Sequence, residues 1–276
     1  MNLVIQGAAL AEDDLREIAR LAGAQRIERI GAAAARLVGV EPRPGVAERC
    51  ARAGLDFGYV PASRRLADMR LLAIDMDSTL ITIECIDEVG DLAGVRAEVA
   101  AITAAAMAGE IDYAESLRRR VGLLRDLGEE ALARVYDERL RLSPGAETLL
   151  AAVRRHSIKT LLVSGGFSFF TDRLKARLGL DYSISNVLEI ERGRLSGRVL
   201  GDIVDAKAKA AKLRAVRAEL GVAKDAVIAI GDGANDLAMM AEAGVSFAYR
   251  AKPVTRGKAD YALDHSGLDG VLNLFG

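Results

Sequence analysis

The chain reads as an α/β protein: a doubly wound, mostly parallel sheet, with a helical cap inserted after its first strand and a small α+β module in front. Three observations predict this. Short apolar runs that end in acids or glycines (LLAID at 71–75, KTLLVSGG at 159–166, AVIAIGDG at 226–233) read as buried parallel strands reaching the carboxyl edge of a sheet. Helical patterns alternate with such runs from residue 143 onward. Residues 86–140, just after the first of these strands, are almost wholly helical in pattern.

Taken in order, LVIQGA (3–8) reads as a strand and EDDLREIARLAG (12–23) as a helix with Leu15, Ile18, Ala19 and Leu21 as its apolar positions. RIERIG (26–31) and ARLVGV (35–40) read as two further strands. PGVAERCARAG (44–54) is a helix with Pro44 near its start and Gly54 at its end, and DFGYVP (56–61) closes the module as a strand. PASRRLADM (61–69) is a charged connector. After strand 71–75 come the helical segments 86–95, 97–109, 112–128 and 129–140, separated by short breaks that contain glycine. Then follow helix 144–156, strand and turn 158–166, helix 167–179 and a β-hairpin over 187–199 that turns at Gly193. Helix 205–221, strand 226–231, helix 235–244 and strands at 245–250 and 260–263 complete the alternation, and a short helix ends it. The expected organisation is a module at 1–70, a core of 71–85 with 141–276, and a cap at 86–140.

Composition narrows the function. With 276 residues and 51% hydrophobic side chains, the chain can bury a real core and is not disordered. Lys and Arg (38) balance Asp and Glu (39), which argues against a nucleic-acid binder held by bulk charge. Trp is absent and aromatics are 4%, so stacking platforms for single strands are not expected either. Two cysteines, Cys50 and Cys85, form no disulfide framework and suit a reducing, cytoplasmic compartment. The amino terminus lacks the charge and apolar core of a secretory signal, and no apolar run is long enough to span a bilayer.

Four clusters at strand ends, or on the helix that leads to one, carry chemistry. In Asp75-Met76-Asp77-Ser78-Thr79, strand alternation would aim the carboxylates at i and i+2 to one side. Two such acids repel unless a proton or a cation intervenes, and Mg²⁺ is a hard cation that takes oxygen ligands. One acid could then attack phosphorus while the other handles a proton. In isolation, a D-x-D pair is more often a solvated turn. Ser164-Gly165-Gly166 offers a hydroxyl and close backbone approach to a phosphate, although alone it reads as a plain turn. Helix 205–221 offers Lys207, Lys209 and Lys212, among which spacing does not choose. Gly231-Asp232-Gly233-Ala234-Asn235-Asp236 places an acid between glycines after a buried strand, as a metal ligand would be, while Asn235 and Asp236 could instead cap the next helix.

Acid pair, Ser-Gly, Lys and Asp in this order resemble the haloacid dehalogenase superfamily of aspartate-nucleophile phosphotransferases. DMDSTL, Glu84, SLRRRVGLL, LLVSGGF, DIVDAKAK and IGDGAND look like that family's blocks, and the resemblance covers about residues 71–276. Within the family, the blocks are similar to those of the branch that hydrolyses O-phospho-L-serine to L-serine and phosphate, the last step of serine biosynthesis. The resemblance implies that Asp75 is the nucleophile and Asp77 the acid and base. It implies that Mg²⁺ is held by Asp75, the main-chain carbonyl of Asp77 and Asp232. It also implies that Ser164, Gly165 and Lys209 hold the phosphoryl group with Asn235 close by, that Glu84 faces the substrate ammonium, and that Arg120 faces its carboxylate. Lys209 is thereby chosen from the three lysines, and Arg118 and Arg119 are left as a solvated helix face. Asp236 is taken as an orienter of Lys209 or of the metal's water, and Thr79 as structural.

Four other readings were set against this one: a phosphatase for another small ester, a transferase to an alcohol, a phosphate-accepting receiver, and an amino-acid-binding regulator. The Asp75/Asp77 pair, the helical insertion and Lys209 disfavour the last two. No nucleic-acid or membrane partner is expected, and a homodimer is allowed. Residues 1–70 are read as structural or dimer-forming. Cys85 is read as a packed small hydrophobe, and His156 and His265 as surface residues.

Overall fold

The computed structural model describes residues 1–276. Its elements are, in chain order, β1 (Asn2–Gln6), α1 (Glu12–Ala22), β2 (Arg26–Gly31), β3 (Ala34–Val38), α2 (Val46–Arg52), β4 (Asp56–Val60) and β5 (Leu71–Asp75). Then come α3 (Cys85–Leu92), α4 (Arg96–Met107), α5 (Tyr113–Gly122), α6 (Glu130–Arg134), α7 (Ala146–Arg155), β6 (Lys159–Phe167), α8 (Ser168–Leu178), β7 (Tyr182–Glu191) and β8 (Arg194–Leu200). The last are α9 (Ala206–Glu219), β9 (Val227–Gly231), α10 (Leu237–Met240), β10 (Val245–Tyr249), α11 (Pro253–Arg256), β11 (Tyr261–Leu263) and α12 (Gly270–Asn273). The expected class holds: mostly parallel strands alternating with helices, a helical insertion after β5, and an antiparallel module in front. No helix is long and apolar enough to cross a membrane.

The chain forms two compact units. The first is Met1–Leu72, Ser143–Lys159 and Gly221–Gly276; the second is Ala73–Leu142 and Thr160–Leu220. The first unit thus joins residues 1–72 to the carboxyl-terminal segment.

In the first unit, the amino-terminal sheet runs β2-β3-β1-β4, all antiparallel. Alternation sends Leu3, Ile5 and Leu37 to one face, where Leu15 and Ile18 of α1 and Cys50 of α2 cover them. The other face carries buried Val4 and Val60 together with polar side chains, of which Gln6 and Asp56 are buried and Arg36 half-buried. Gln6 donates to Gly270 O at 3.1 Å and accepts from Asn273 Nδ2 at 2.6 Å. Arg36 donates to the carbonyls of Asn273 (3.1 Å) and Phe275 (2.6 Å), which the end of α12 leaves without helical partners. Asp56 accepts from the amides of Asp264 (2.8 Å) and Ser266 (2.8 Å) and from Ser266 Oγ (2.7 Å), with His265 N at 3.1 Å. Gly58 has to be glycine, since a Cβ there would lie 2.6 Å from the Tyr261 ring. In the same unit β9, β10 and β11 run parallel.

In the second unit, β6 and β7 are parallel, and β7 and β8 form the hairpin. Its two turn residues, Arg192 (φ 53°) and Gly193 (φ 76°), are both left-handed, which matches the twist of a two-residue hairpin. The first hairpin strand starts at Tyr182, earlier than its apolar run suggests. The segments leading into and out of the helical insertion are paired, Thr82 N donating to Arg141 O at 3.0 Å. Beyond α5 the insertion is tied to the hairpin, with Asp126 N on Leu195 O and Leu195 N on Leu127 O, both 2.8 Å.

Asp56→Ala should lower the free energy of unfolding by about 3 kcal/mol, because it strips a buried acceptor from several buried donors at once. Denaturant unfolding followed by circular dichroism measures this. A loss below about 0.5 kcal/mol would show that the carboxylate is not what fastens the module to residues 264–266.

Candidate active site

The site in the second unit starts where β5 ends. Every residue of β5 is buried, and Asp75 is its last. The chain then makes a wide turn over Met76–Leu80, with Ser78 left-handed at φ 54°. Strand alternation therefore does not place Asp77, contrary to expectation; the turn does. Asp77 Oδ1 accepts from Cys85 N at 2.8 Å, one of the amides that the start of α3 leaves unpaired. Its other oxygen accepts from Ser164 Oγ at 3.3 Å. The same turn holds Glu84, which is exposed and accepts from Ser78 Oγ at 2.6 Å.

β6 brings in the second cluster. Its register with β7 is regular through Val163 and resumes only at Phe167, so Ser164-Gly165-Gly166 bulges from the ladder. Ser164 Oγ accepts from Gly166 N at 2.8 Å. A Cβ on Gly166 would lie 2.7 Å from Asp77 Oδ2, and one on Gly165 would lie 2.3 Å from Tyr113 Oη, so each glycine permits a contact on which the site depends.

α9 brings in the cation. Asp205 caps it, accepting from Ala208 N at 2.8 Å. Lys209 Nζ then lies 2.5 Å from Asp75 Oδ1, with side-chain exposures of 1% and 5%. Lys207 is exposed and Lys212 half-buried, so burial beside Asp75 singles out Lys209 without reference to any family. On α5, Arg120 is half-buried with Nε 3.4 Å from Ser116 O, while Arg118 and Arg119 are exposed and Arg119 pairs with Glu115.

Burial pushes the Asp77 carboxyl up from its ordinary range, against the hydrogen bonds from Cys85 and Ser164 and the charge of Lys209. A raised carboxyl is one that can deliver a proton near neutral pH. Burial likewise pushes the Cys85 thiol well up, as in a packed, unreactive cysteine.

In the first unit, Asp232 and Asn235 lie in the loop after β9. Asp236 is wholly buried, and its Oδ2 accepts from the amides of Asp232 (3.2 Å) and Gly233 (3.1 Å). It therefore shapes the loop before it rather than capping α10. Asp232 is half-buried and Asn235 exposed. His156 and His265 are exposed.

Two residues went unnoticed in the sequence. Tyr113 Oη donates to Gly165 O at 2.9 Å, and Asn186, fully buried, donates to the same oxygen at 2.7 Å. A signal existed for the first: Tyr113, Ser116 and Arg120 are spaced i, i+3, i+7, one face of a helix. Asn186 is a lone amide in an apolar strand, a weaker sign.

Comparison with known proteins identifies the family. The family model described as haloacid dehalogenase-like hydrolase matches residues 72–241, and one described as a domain of unknown function matches residues 3–46. A phosphoserine phosphatase of Polaromonas is 52% identical over 226 residues, covering 80% of this chain and 96% of that protein. The crystal structure of a probable phosphoserine phosphatase from Vibrio cholerae superposes with a TM-score of 0.87 at 38% identity, covering 99% of this chain and 85% of that one. A phospho-aspartyl intermediate analogue of phosphoserine phosphatase superposes with a TM-score of 0.71 at 36% identity, over 75% of this chain and 99% of that one.

Because the folded pKa of Asp77 is raised, its penalty is absent at acid pH and grows as pH rises from the ordinary carboxylate range through the folded value. In metal-free buffer, Asp77→Asn should therefore be the more stable protein at neutral pH, by about 1 kcal/mol, and the gap should close on acidification. Thermal melts across pH, run with chelator, check this. A variant less stable than the parent at pH 7 would contradict it.

Proposed function

The chain belongs to the haloacid dehalogenase-like hydrolases, and within that family we propose that it hydrolyses O-phospho-L-serine to L-serine and phosphate through a phosphoaspartyl intermediate. The observation that carries this reading is the buried contact of Lys209 with Asp75, beside an acid with a raised pKa and a bulged Ser-Gly-Gly.

In the first half-reaction a carboxylate oxygen of Asp75 attacks phosphorus. The P–O bond to the seryl oxygen breaks, and that oxygen takes the proton of Asp77. In the second, Asp77 removes a proton from water as the water oxygen attacks phosphorus; phosphate leaves and Asp75 is restored. Phosphoryl transfer asks mainly for positioning and charge neutralisation. Lys209, Ser164 Oγ and the Gly165 amide are assigned to the phosphoryl oxygens, with Asn235 close to them. Glu84 is assigned to the ammonium and Arg120 to the carboxylate, where its two-donor fork fits.

The donors are all oxygens, which suits a hard divalent cation and gives a soft metal nothing to bind. Asp75, the main-chain carbonyl of Asp77 and Asp232 are assigned to Mg²⁺. When bound, the ion neutralises charge on the phosphoryl group and the attacking carboxylate. Residues 71–85 with 141–276 are taken as the catalytic core, 86–140 as the cap, and 1–70 as a structural module in which a homodimer contact is allowed. The reaction would close serine biosynthesis in the cytoplasm, where the free, buried Cys50 and Cys85 remain reduced.

Phosphate release from a panel of phosphate esters, with and without Mg²⁺, tests the reading. Phosphoserine should be the best substrate. Asp75→Asn should abolish turnover, since an amide does not attack phosphorus. Near-normal activity in that variant would refute the nucleophile.

Arg120→Ala should cut kcat/KM for phosphoserine by roughly 10²-fold, about 2.7 kcal/mol of transition-state binding. Hydrolysis of an aryl phosphate, which offers no carboxylate, should change only a few-fold. Glu84→Gln should show the same asymmetry through the ammonium. Equal losses on both substrates would mean that Arg120 supports the fold or the phosphate site instead.

A further inference from the structure

Three bonds converge on one peptide group, Gly165–Gly166. Its carbonyl accepts from Asn186 Nδ2 at 2.7 Å and from Tyr113 Oη at 2.9 Å, and its N–H donates to Ser164 Oγ at 2.8 Å. Ser164 Oγ in turn donates to Asp77 at 3.3 Å. Asn186, Ser164 and Asp77 all belong to the segments assigned to the core. Tyr113 alone comes from the helical insertion, as the first residue of α5.

The two ends of α5 are held differently. Past its carboxyl end, Asp126 and Leu127 share two backbone hydrogen bonds with Leu195 of the hairpin, and Arg194 adds one to Asp126 O at 2.6 Å. Before its amino end lie residues 107–110, all exposed, with Gly109 left-handed at φ 80°. A ten-residue helix about 15 Å long is thus tied by backbone bonds past one end, while at the other its Ser116 and Leu117 are packed and the Tyr113 hydroxyl makes its bond to Gly165. Burial pushes that phenol up to about 12, so it remains a donor across the working pH range.

We propose that Tyr113 is the latch of the cap: its hydroxyl, on the carbonyl of Gly165, holds the amino end of α5 closed over the phosphate-binding loop and makes closure and the setting of that loop a single event. Tyr113 is a positioning residue, and no atom of it takes part in bond making. Arg120 lies on the same helix face two turns on, near the anchored end. The inference rests on the phosphatase reading for its kinetic half only.

Tyr113→Phe removes the one oxygen and keeps the ring. Gly165 O retains Asn186, so no buried acceptor is orphaned and Tm should stay within about 2 °C, which is the control for folding. A less populated closed state weakens apparent affinity in proportion. KM for phosphoserine should rise about 3- to 10-fold, the worth of one neutral hydrogen bond, with kcat unchanged or higher. Backbone amides of residues 113–122 should exchange with solvent faster by a similar factor in the substrate-free enzyme. A wild-type value for either quantity, or a fall in kcat at unchanged KM, overturns the latch. If the parent enzyme releases no phosphate from phosphoserine, the substrate reading has failed, and exchange alone decides the latch.

Discussion

An ammonium and a carboxylate meet at 2.5 Å between Lys209 and Asp75, almost without solvent. Taking two such charges out of water costs several kcal/mol apiece, and only close geometry offsets it. That requirement reaches well beyond the pair. β5 has to end at Asp75, α9 has to begin where it does, and Asp205 has to hold the first turn of α9 by its cap on Ala208. Nearby, Asp77 is half-buried with its pKa raised and is restrained by a helix-end amide and a serine hydroxyl. A neutral core of similar volume would be at least as stable. The arrangement makes sense as one preorganised for a dianionic phosphoryl group, at a cost in stability that the rest of the core has to bear.

The second constraint is distance. Gly165 and Gly166 have no room for a Cβ, because Tyr113 approaches from the insertion and Asp77 from the β5 turn. The hydrogen bonds between them run in one direction, from the Tyr113 hydroxyl through the Gly165–Gly166 peptide to the Ser164 hydroxyl and on to Asp77. In such a chain each bond polarises the next. The bulge at 164–166 is what opens the ladder enough for the peptide to turn toward these partners.

Much of this was legible in the sequence. Periodicity gave the strands and helices in order, since continuous apolar runs and 3.6-residue patterns report burial directly. It gave Asp75 and Ser164 as candidates because each stands at a strand end, and it offered Lys209 only together with Lys207 and Lys212. Legibility stopped where position depends on non-local contact. Strand alternation misplaced the reason for Asp77, which is set by a left-handed turn at Ser78 and by an amide eight residues on. Spacing did not distinguish Lys209, 1% exposed, from Lys207 two residues away at the surface. Tyr113 and Asn186 acquire meaning only because both reach one carbonyl, and their separation in sequence hides this.

The amino-terminal module was the least legible part, for a physical reason. As a sequence it looks self-sufficient: four strands, two helices and one apolar face. Nothing in the sequence of Gln6, Arg36 and Asp56, on the opposite face, points to a partner. They are engaged with residues 264–275, mostly through backbone groups. Such contacts leave no sign in the partner segment, because an amide of His265 or a carbonyl of Gly270 is the same whatever side chain it carries. The polar face also explains why this junction is specific. An apolar patch would tolerate sliding, whereas a carboxylate shared among the amides of 264, 265 and 266 accepts one register only. A chain lacking the module would leave those amides and the last carbonyls of α12 without their protein partners. The module therefore acts first on the stability of the carboxyl-terminal segment, and it contributes none of the residues assigned to the chemistry.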